Sequence, residues 1–360
     1  MNMKEKANIC VISFSGRSGG NCWKIAELVG EQFNGRVKLF DFSALNITPC
    51  GKCGYDCFKS AESCPYLNDP VYGIYEAVSE SDLTFFIVPN YCDYPCSLFF
   101  AFNERSQCYF QRKYSRLCKY LSVRKKFIVV SNTDRDNFVS AFRYQVEENI
   151  DPEILFLSSR RFGKVSIEGN LTDSEEAREL IKRYAKMPPK EEIFFEPLSD
   201  SNIDEARRIQ REDISTDFAD EADTIMELTK YGAEHNCIGD TYAVKLGNTY
   251  IGLILLGEAI AWETDPPEMK ETPFYRLMGF VMDKGYRDMG LGGYVLEKAI
   301  ETCYKKYGAR PIALGCHKDN KGAERFYLRH GFEKTEYMEE NDYYYLRYPD
   351  KKPKGEIYEV

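Results

Sequence analysis

The sequence predicts an α/β protein built as two domains in series: a doubly wound parallel sheet over residues 1–187, then an α+β mixed-sheet domain over residues 188–360. Three observations carry this. The chain has 360 residues, more than one ordinary core fills, and domains of roughly 150–200 residues each are expected. Up to about Lys186, short runs of Val, Ile and Phe alternate with amphipathic stretches, as when parallel strands are covered by helices on both faces. At "KMPPKEE", Lys186 to Glu192, two prolines and a charge run end the preceding helix and mark the linker.

In the first half, "NICVIS", "VKLFDF", "LTFFIVPN", "KKFIVVSN" and "EILFLSS" read as strands. Between the first two, Cys22, Ile25, Ala26, Val29 and Phe33 recur at spacings of three and four, the apolar face of a helix. Further helices are expected from Ser97, over Asn137 to Asn149, and over Asp173 to Lys186. After the linker, "EIFFEPLS" is a strand, and Asn202 to Gln210 and Asp220 to Tyr231 are helices. "TYAVKL" and "TYIGLILLGEAI" pair about the turn Gly247-Asn248. "FYRLMGFVM" is a strand, a glycine-rich segment opens a helix, and "PIALGC" is a strand. A helix from Asn320 and a hairpin of "GFEKTEYM" with "DYYYLRY" close the chain.

Composition narrows the function. Hydrophobic residues are 43% and charged residues 29% of the chain, the profile of a globular protein. A formal net charge of −9 argues against nucleic acid or an anionic membrane as partner, since both recruit clustered Lys and Arg. No apolar run reaches the roughly 20 residues that span a bilayer. The start of the chain fits a first strand better than a signal peptide. The 13 cysteines therefore read as reduced thiols or metal ligands in a cytoplasmic protein. Three histidines, His235, His317 and His330, leave little material for a His-rich metal site or a Ser-His-Asp triad.

Two glycine-bearing turns carry the chemistry. In "YRDMGLGG" a strand turns into a helix across Arg287, Asp288, Met289, Gly290, Leu291 and Gly292. The unpaired N–H groups of such a turn and the positive helix end suit a pyrophosphate. Glycine lets the anion approach the backbone, and Arg287 could add a charge-assisted contact. Asp288 puts a negative charge in the same loop. In "SFSGRSGGNCW", Ser15, Arg17, Ser18, Gly20, Asn21 and Cys22 make a similar nest at the end of the first strand.

The Arg-x-x-Gly-x-Gly segment, followed by "HKDNKGAERFYLRHGFEK", resembles the GCN5-related N-acetyltransferases (GNAT) over about Ile193 to Tyr348. The resemblance implies acetyl-CoA as cosubstrate and a small-molecule or peptide amine as acceptor. It implies that the backbone of Phe280, Val281 and Met282 bonds the pantetheine arm and that the amides from Arg287 to Gly292 hold the pyrophosphate. Asn320 would contact the cosubstrate near its thiol end, and Tyr327 would protonate the departing thiolate. A base is also needed to free the amine, and Glu258, ending "LILLGE", is the candidate. Asp265, Glu268 and Glu271 around Trp262 could attract a cationic amine, or be solvated surface.

The first half, about Ala7 to Ala185, resembles the NADPH-dependent FMN reductase and iron–sulfur flavoprotein branch of flavodoxin-like proteins. Ser15, Arg17, Gly20 and Asn21 match the phosphate loop of that branch, with Cys22 where a hydroxyl residue is usual. Pro89, Asn90, Tyr91 and Cys92, in "VPNYCDYP", resemble its isoalloxazine-contacting loop, and "SNTDRDN" lies at the same sheet edge. FMN and NAD(P)H are the implied cofactors, and pairing into a homodimer follows by the same likeness. The alternative is an acetyltransferase whose flavodoxin-like half has lost flavin and acts as a dimerisation or interaction module. In "CGKCGYDCFKSAESC", Cys50, Cys53, Cys57 and Cys64 could wrap a metal. The resemblance favours a 4Fe–4S cluster, with zinc or plain reduced thiols as alternatives.

Overall fold

The computed structural model describes residues 7–350, apart from 52, 61–62, 112, 132–137 and 149. The chain forms two compact units. The first runs to Met187 and takes in the short stretch Asp288–Gly290; the second begins at Pro188. Among the described residues, no helix is long and apolar enough to cross a membrane.

The first unit is built on β1 (Asn8–Ser13), β2 (Arg36–Asp41), β3 (Leu83–Tyr91), β4 (Tyr94–Pro95), β5 (Arg124–Ser131) and β6 (Glu153–Ser158). The sheet order is β2-β1-β3-β5-β6, with β4 pairing only β3. Every pair is parallel except the short β3–β4 hairpin. Without β4 this is the order 2-1-3-4-5 of flavodoxin-like doubly wound sheets. Such sheets bind ligands beyond the strand ends where the order reverses, here between β1 and β3.

Helices α1 (Asn21–Gly30) and α6 (Glu175–Lys186) pack together on one face. The predicted apolar face of α1 is buried at Cys22, Ile25, Ala26 and Val29. Phe33 lies past the helix end, its ring 5.8 Å from that of Phe85. The other face carries an aromatic core. Phe14 meets Phe42, Phe86, Phe99 and Phe102, and Tyr75 stacks on Phe102 and Tyr109. Helices α2 (Pro70–Ser79), α3 (Ser97–Phe110), α4 (Tyr114–Ser122) and the short α5 (Val139–Arg143) supply most of it. Helix α2 is not among the expected helices, although Asp69 caps it through the Val71 N–H and Pro70 opens it. Of the helix expected over Asn137 to Asn149, α5 is the helical part; both end residues lie outside the described residues.

The second unit holds β7 (Ile193–Pro197), α7 (Ile203–Ala206), α8 (Ala222–Glu234), β8 (Gly239–Leu246), β9 (Thr249–Gly257), α9 (Pro267–Glu271), β10 (Tyr275–Met282), α10 (Leu291–Tyr307), β11 (Ile312–His317), α11 (Lys321–Arg329), β12 (Glu333–Glu339) and β13 (Asp342–Arg347). The sheet order is β12-β13-β11-β10-β9-β8-β7. Only β10 and β11 run parallel. The β8–β9 hairpin closes with Leu246 opposite Thr249, and Gly247 supplies the positive φ of 59°.

The helix expected over Asn202 to Gln210 is only the short α7. Beyond it the chain turns back toward the end of β10, where the Gln210 N–H donates to Asp283 Oδ2 at 2.9 Å and its carbonyl accepts from the Lys284 N–H at 2.8 Å. Those bonds cannot form if residues 207–210 stay helical.

Candidate active site

The centre of the second sheet is split. Strands β10 and β11 pair only at Tyr275–Ile312 and Arg276–Ala313, and no ladder joins them beyond. On its other edge β10 remains paired to β9, with a register shift between Leu277 and Phe280. A bulge of this kind increases local twist and turns a strand away from its neighbour. Gly279 sits inside the shift, and a Cβ there would meet the Ile225 side chain at 2.6 Å. Phe280, Val281 and Met282 therefore pair with Ile254, Leu253 and Gly252 while their β11 side stays open.

The open strand runs into the predicted glycine loop. Asp288 and Gly290 take φ values of 60° and 74°, a region glycine enters at little cost and aspartate tolerates. Met289 and Leu291 are buried and anchor the loop, while Asp288 and Gly290 are exposed. Helix α10 has no acidic residue in its first turn, which suits an anion at its positive end.

Arg287 does different work from that expected. Its Nε donates to the Met282 carbonyl at 2.8 Å and its Nη1 pairs with Asp213 at 2.6 Å. The guanidinium ties the loop to the chain between α7 and α8. Asn320 caps α11, its Oδ1 accepting from the Ala323 N–H at 3.1 Å.

Tyr327 lies on α11 between the rings of Phe326 and Phe332, at 5.3 and 5.6 Å. Its hydroxyl has no hydrogen-bond partner among the described residues. Burial raises the phenol above its ordinary value, and nearby Cys316 adds to the rise. A phenol so placed stays protonated at neutral pH and can donate.

Glu258 is engaged by other groups of the protein. It follows the end of β9 opposite Arg276, at the closed end of the split. Its Oε2 accepts from the Ile238 N–H at 3.0 Å and its Oε1 pairs with Arg310 at 2.5 Å. The Ile238 bond, with Arg310 helping, lowers its pKa. Doubly held, it makes a poor base. Asp265 is committed as well: it is buried, accepts from the Trp262 N–H at 2.8 Å, and pairs with Arg276.

Residues 203–332 match the model of the acetyltransferase (GNAT) family. Over that span the second half of the chain is similar to GNAT acetyltransferases. Similar solved structures include a PaiA N-acetyltransferase from Thermoplasma acidophilum in complex with coenzyme A, 18% identical over 43% of this chain and 98% of that one, TM-score 0.32. A GNAT acetyltransferase from Staphylococcus aureus Mu50 is 21% identical over 43% and 98%, TM-score 0.31. One from Elizabethkingia anophelis with acetyl-CoA bound is 16% identical over 44% and 98%, TM-score 0.29. No curated protein matches the chain significantly. The family match begins at α7 and ends just past α11, at Phe332.

In the first unit the segments expected to contact flavin follow β1 and end β3, and their side chains are largely engaged by the protein. Ser15 is buried and its Oγ accepts from the Arg17 N–H at 3.1 Å. Arg17 donates to the Ile167 carbonyl. Asn21 is held from both ends, its Nδ2 donating to Ser166 O and its Oδ1 accepting from the Leu171 N–H, each at 2.9 Å. Lys24 donates to Gly169 O at 2.7 Å. Cys22 is on the buried face of α1, and burial pushes its thiol up. The exposed stretch from Gly16 to Gly19, with Ser18, and the N–H groups near Gly20 are what remain for an anion. The side-chain donors of the resemblance do not fit a flavin phosphate.

The Pro89 to Cys92 segment forms a tight hairpin. Asn90 pairs with Pro95 and Tyr91 with Tyr94 about Cys92 and Asp93, whose φ values are 53° and 67°. Asn90 donates to Ser131 at 2.9 Å, and Tyr91 stands exposed. Of "SNTDRDN", residues 132–137 lie outside the described residues.

The cysteine segment assembles a different set from that expected. Cys108, on α3, lies with its Sγ 3.8 Å from that of Cys50 and 3.9 Å from that of Cys57, and Cys64 packs into the same cluster. Cys53 is outside it. Burial raises the Cys108 thiol, and its thiol neighbours add to the effect. Among the described residues no three side chains stand as a metal site. The ligand set Cys50, Cys53, Cys57 and Cys64 therefore does not fit a cluster. Cys108 was missed because the fold, not sequence spacing, brings it there.

Proposed function

We propose that the second half transfers an acetyl group from acetyl-CoA to an amine. The observation that carries this is the split between β10 and β11, leading straight into a glycine-turned helix start with no acidic residue in its first turn. A pyrophosphate would rest on the amides from Arg287 to Gly292, and the pantetheine arm would bond the open edge of Phe280 to Met282. The thioester would then lie in the split, with Tyr327 on the α11 side. The amine attacks the thioester carbonyl directly, the C–S bond breaks, and Tyr327 protonates the leaving thiolate.

The test is release of free coenzyme A thiol from acetyl-CoA on addition of an amine panel to the full-length protein. Amine-dependent release is expected. Acetyl-CoA that binds but is never cleaved, with any amine, removes the reading.

For the first half, the second reading is favoured by the bonds of Arg17, Asn21 and Lys24 to residues 166–169. They support a flavodoxin-like scaffold in which the phosphate loop holds its own chain instead of FMN. No electron-transfer step from NAD(P)H is assigned to it, and no iron–sulfur step to its thiols. Anaerobically purified protein is expected to be colourless and to leave the fluorescence of added FMN unchanged. Flavin bands in its visible spectrum would restore the oxidoreductase reading.

A further inference from the structure

The transfer needs a group that takes a proton from the amine, and Glu258 is held elsewhere. The ladder between β11 and β13 identifies another. Residues directly opposed in an antiparallel pair project from the same face, and successive residues alternate. Gly315 opposes Tyr344 and His317 opposes Asp342, while Cys316 opposes Tyr343 and Leu314 opposes Tyr345. Tyr345 bonds Glu324 of α11 at 2.9 Å, and Cys316 neighbours Tyr327. The α11 face therefore carries Tyr327. Asp342 projects from the opposite face.

Asp342 also stands beside the split, over β11. Gly315 lies in the part of β11 that no longer pairs with β10, and a Cβ at Gly315 would meet Asp342 Oδ2 at 3.4 Å. The Asp342 carboxylate makes no hydrogen bond or salt bridge among the described residues. Its nearest opposed residue, His317, carries the Phe218 ring at 5.0 Å, so the chain between α7 and α8 overhangs the same place. The surroundings are acidic: Glu339 and Glu340 at the β12–β13 turn and Asp220 before α8, with His317 opposing them. Burial and those three carboxylates raise the Asp342 pKa, and His317 lowers it.

We infer that Asp342 seats the acceptor as a primary ammonium cation and takes its proton, on the sheet face opposite Tyr327. The inference rests on the transferase reading above. In the balanced step, R–NH3+ gives one proton to the Asp342 carboxylate. The neutral amine forms the N–C bond as the C–S bond breaks. The second N–H proton leaves the nitrogen for solvent as the thiolate takes one from Tyr327, Tyr327 is reprotonated from solvent, and the Asp342 proton passes to solvent. The products are the acetamide, free coenzyme A and one proton.

The test uses full-length protein with putrescine as the cationic probe and the α-amine of an acidic peptide as comparison. Asp342→Asn is expected to lower kcat/KM for putrescine by about 100-fold or more, the range of a positioned base. Its titration with acetyl-CoA should be unchanged. Wild-type activity should rise with pH as Asp342 ionises, in the field of His317, Glu339, Glu340 and Asp220. The Asn variant loses that limb, Asp342→Glu recovers part of the rate, and putrescine is preferred to the acidic peptide. Wild-type kcat/KM and an unchanged limb in Asp342→Asn overturn the inference and leave the transferase reading standing. Wild-type protein that acetylates no amine removes both.

Discussion

Replacing Tyr327 with Phe is expected to cut kcat about 100-fold, roughly 2.7 kcal/mol of transition-state stabilisation, while the acetyl-CoA KM stays within about threefold of wild type. The argument begins with what the substitution does not change. The Tyr327 ring keeps its contacts with Phe326 and Phe332, and its hydroxyl gives up no protein hydrogen bond. Thermal unfolding should therefore not move. What is lost is a proton donor beside the leaving thiolate. Because burial raises the phenol, the acid form persists across the neutral range. Its deprotonation, which would remove activity on the alkaline side, should lie above the pH at which Asp342 ionises. The measurement is thiol release against pH for both proteins. A Tyr327→Phe rate within about threefold of wild type, at unchanged stability, would mean that thiolate departure needs no help from this residue.

How far the sequence revealed this site depends on the range of the contacts involved. The strand-to-helix turn at Gly290 was legible because a glycine at positive φ and a helix start are local events. The succession of strands along the chain was legible because short runs of Val, Ile and Phe between amphipathic stretches report buried strands. The misreadings share one cause, partners far apart in the chain. Glu258 looked available until Ile238 and Arg310 were brought beside it. Arg287 looked like an anion contact until Asp213 took it. Asp342 drew no attention because its place over Gly315 exists only once β11 and β13 pair. Lys125 and Lys126 open a strand in "KKFIVVSN", where charge suggests exposure. Both are buried. Lys126 reaches the carbonyls of Tyr184 at 2.6 Å and Met187 at 2.7 Å at the end of α6, and burial lowers its pKa to about 7. Helix-end carbonyls accept such a donor, but no local pattern announces that one will arrive.

Arg105 shows the same principle with the largest stability consequence. In "FNERSQC" it reads as one polar residue on a helix surface; in the fold it is fully buried. Its guanidinium pairs with Asp69 at 3.0 Å and donates to the carbonyls of Thr48 and Tyr66, at 3.1 and 3.0 Å. The Tyr66 ring lies 4.6 Å from it. One side chain thus pins the cysteine segment to α3 and holds the residue that caps α2. Arg105→Met keeps much of the volume but leaves Asp69 buried without a cation and two carbonyls without a donor. Breaking a buried pair from one side costs about 3–5 kcal/mol, a large share of the roughly 5–15 kcal/mol that holds a domain folded. The first unit should melt on the order of 10 °C lower. Cys50, Cys57 and Cys108, released from their packing, should be alkylated faster than in wild type. Adding Asp69→Asn to Arg105→Met should recover part of the loss, because the stranded charge goes with it. If Arg105→Met melts with wild type, the guanidinium is not what fixes this segment, and the thiol cluster is held by its own packing alone.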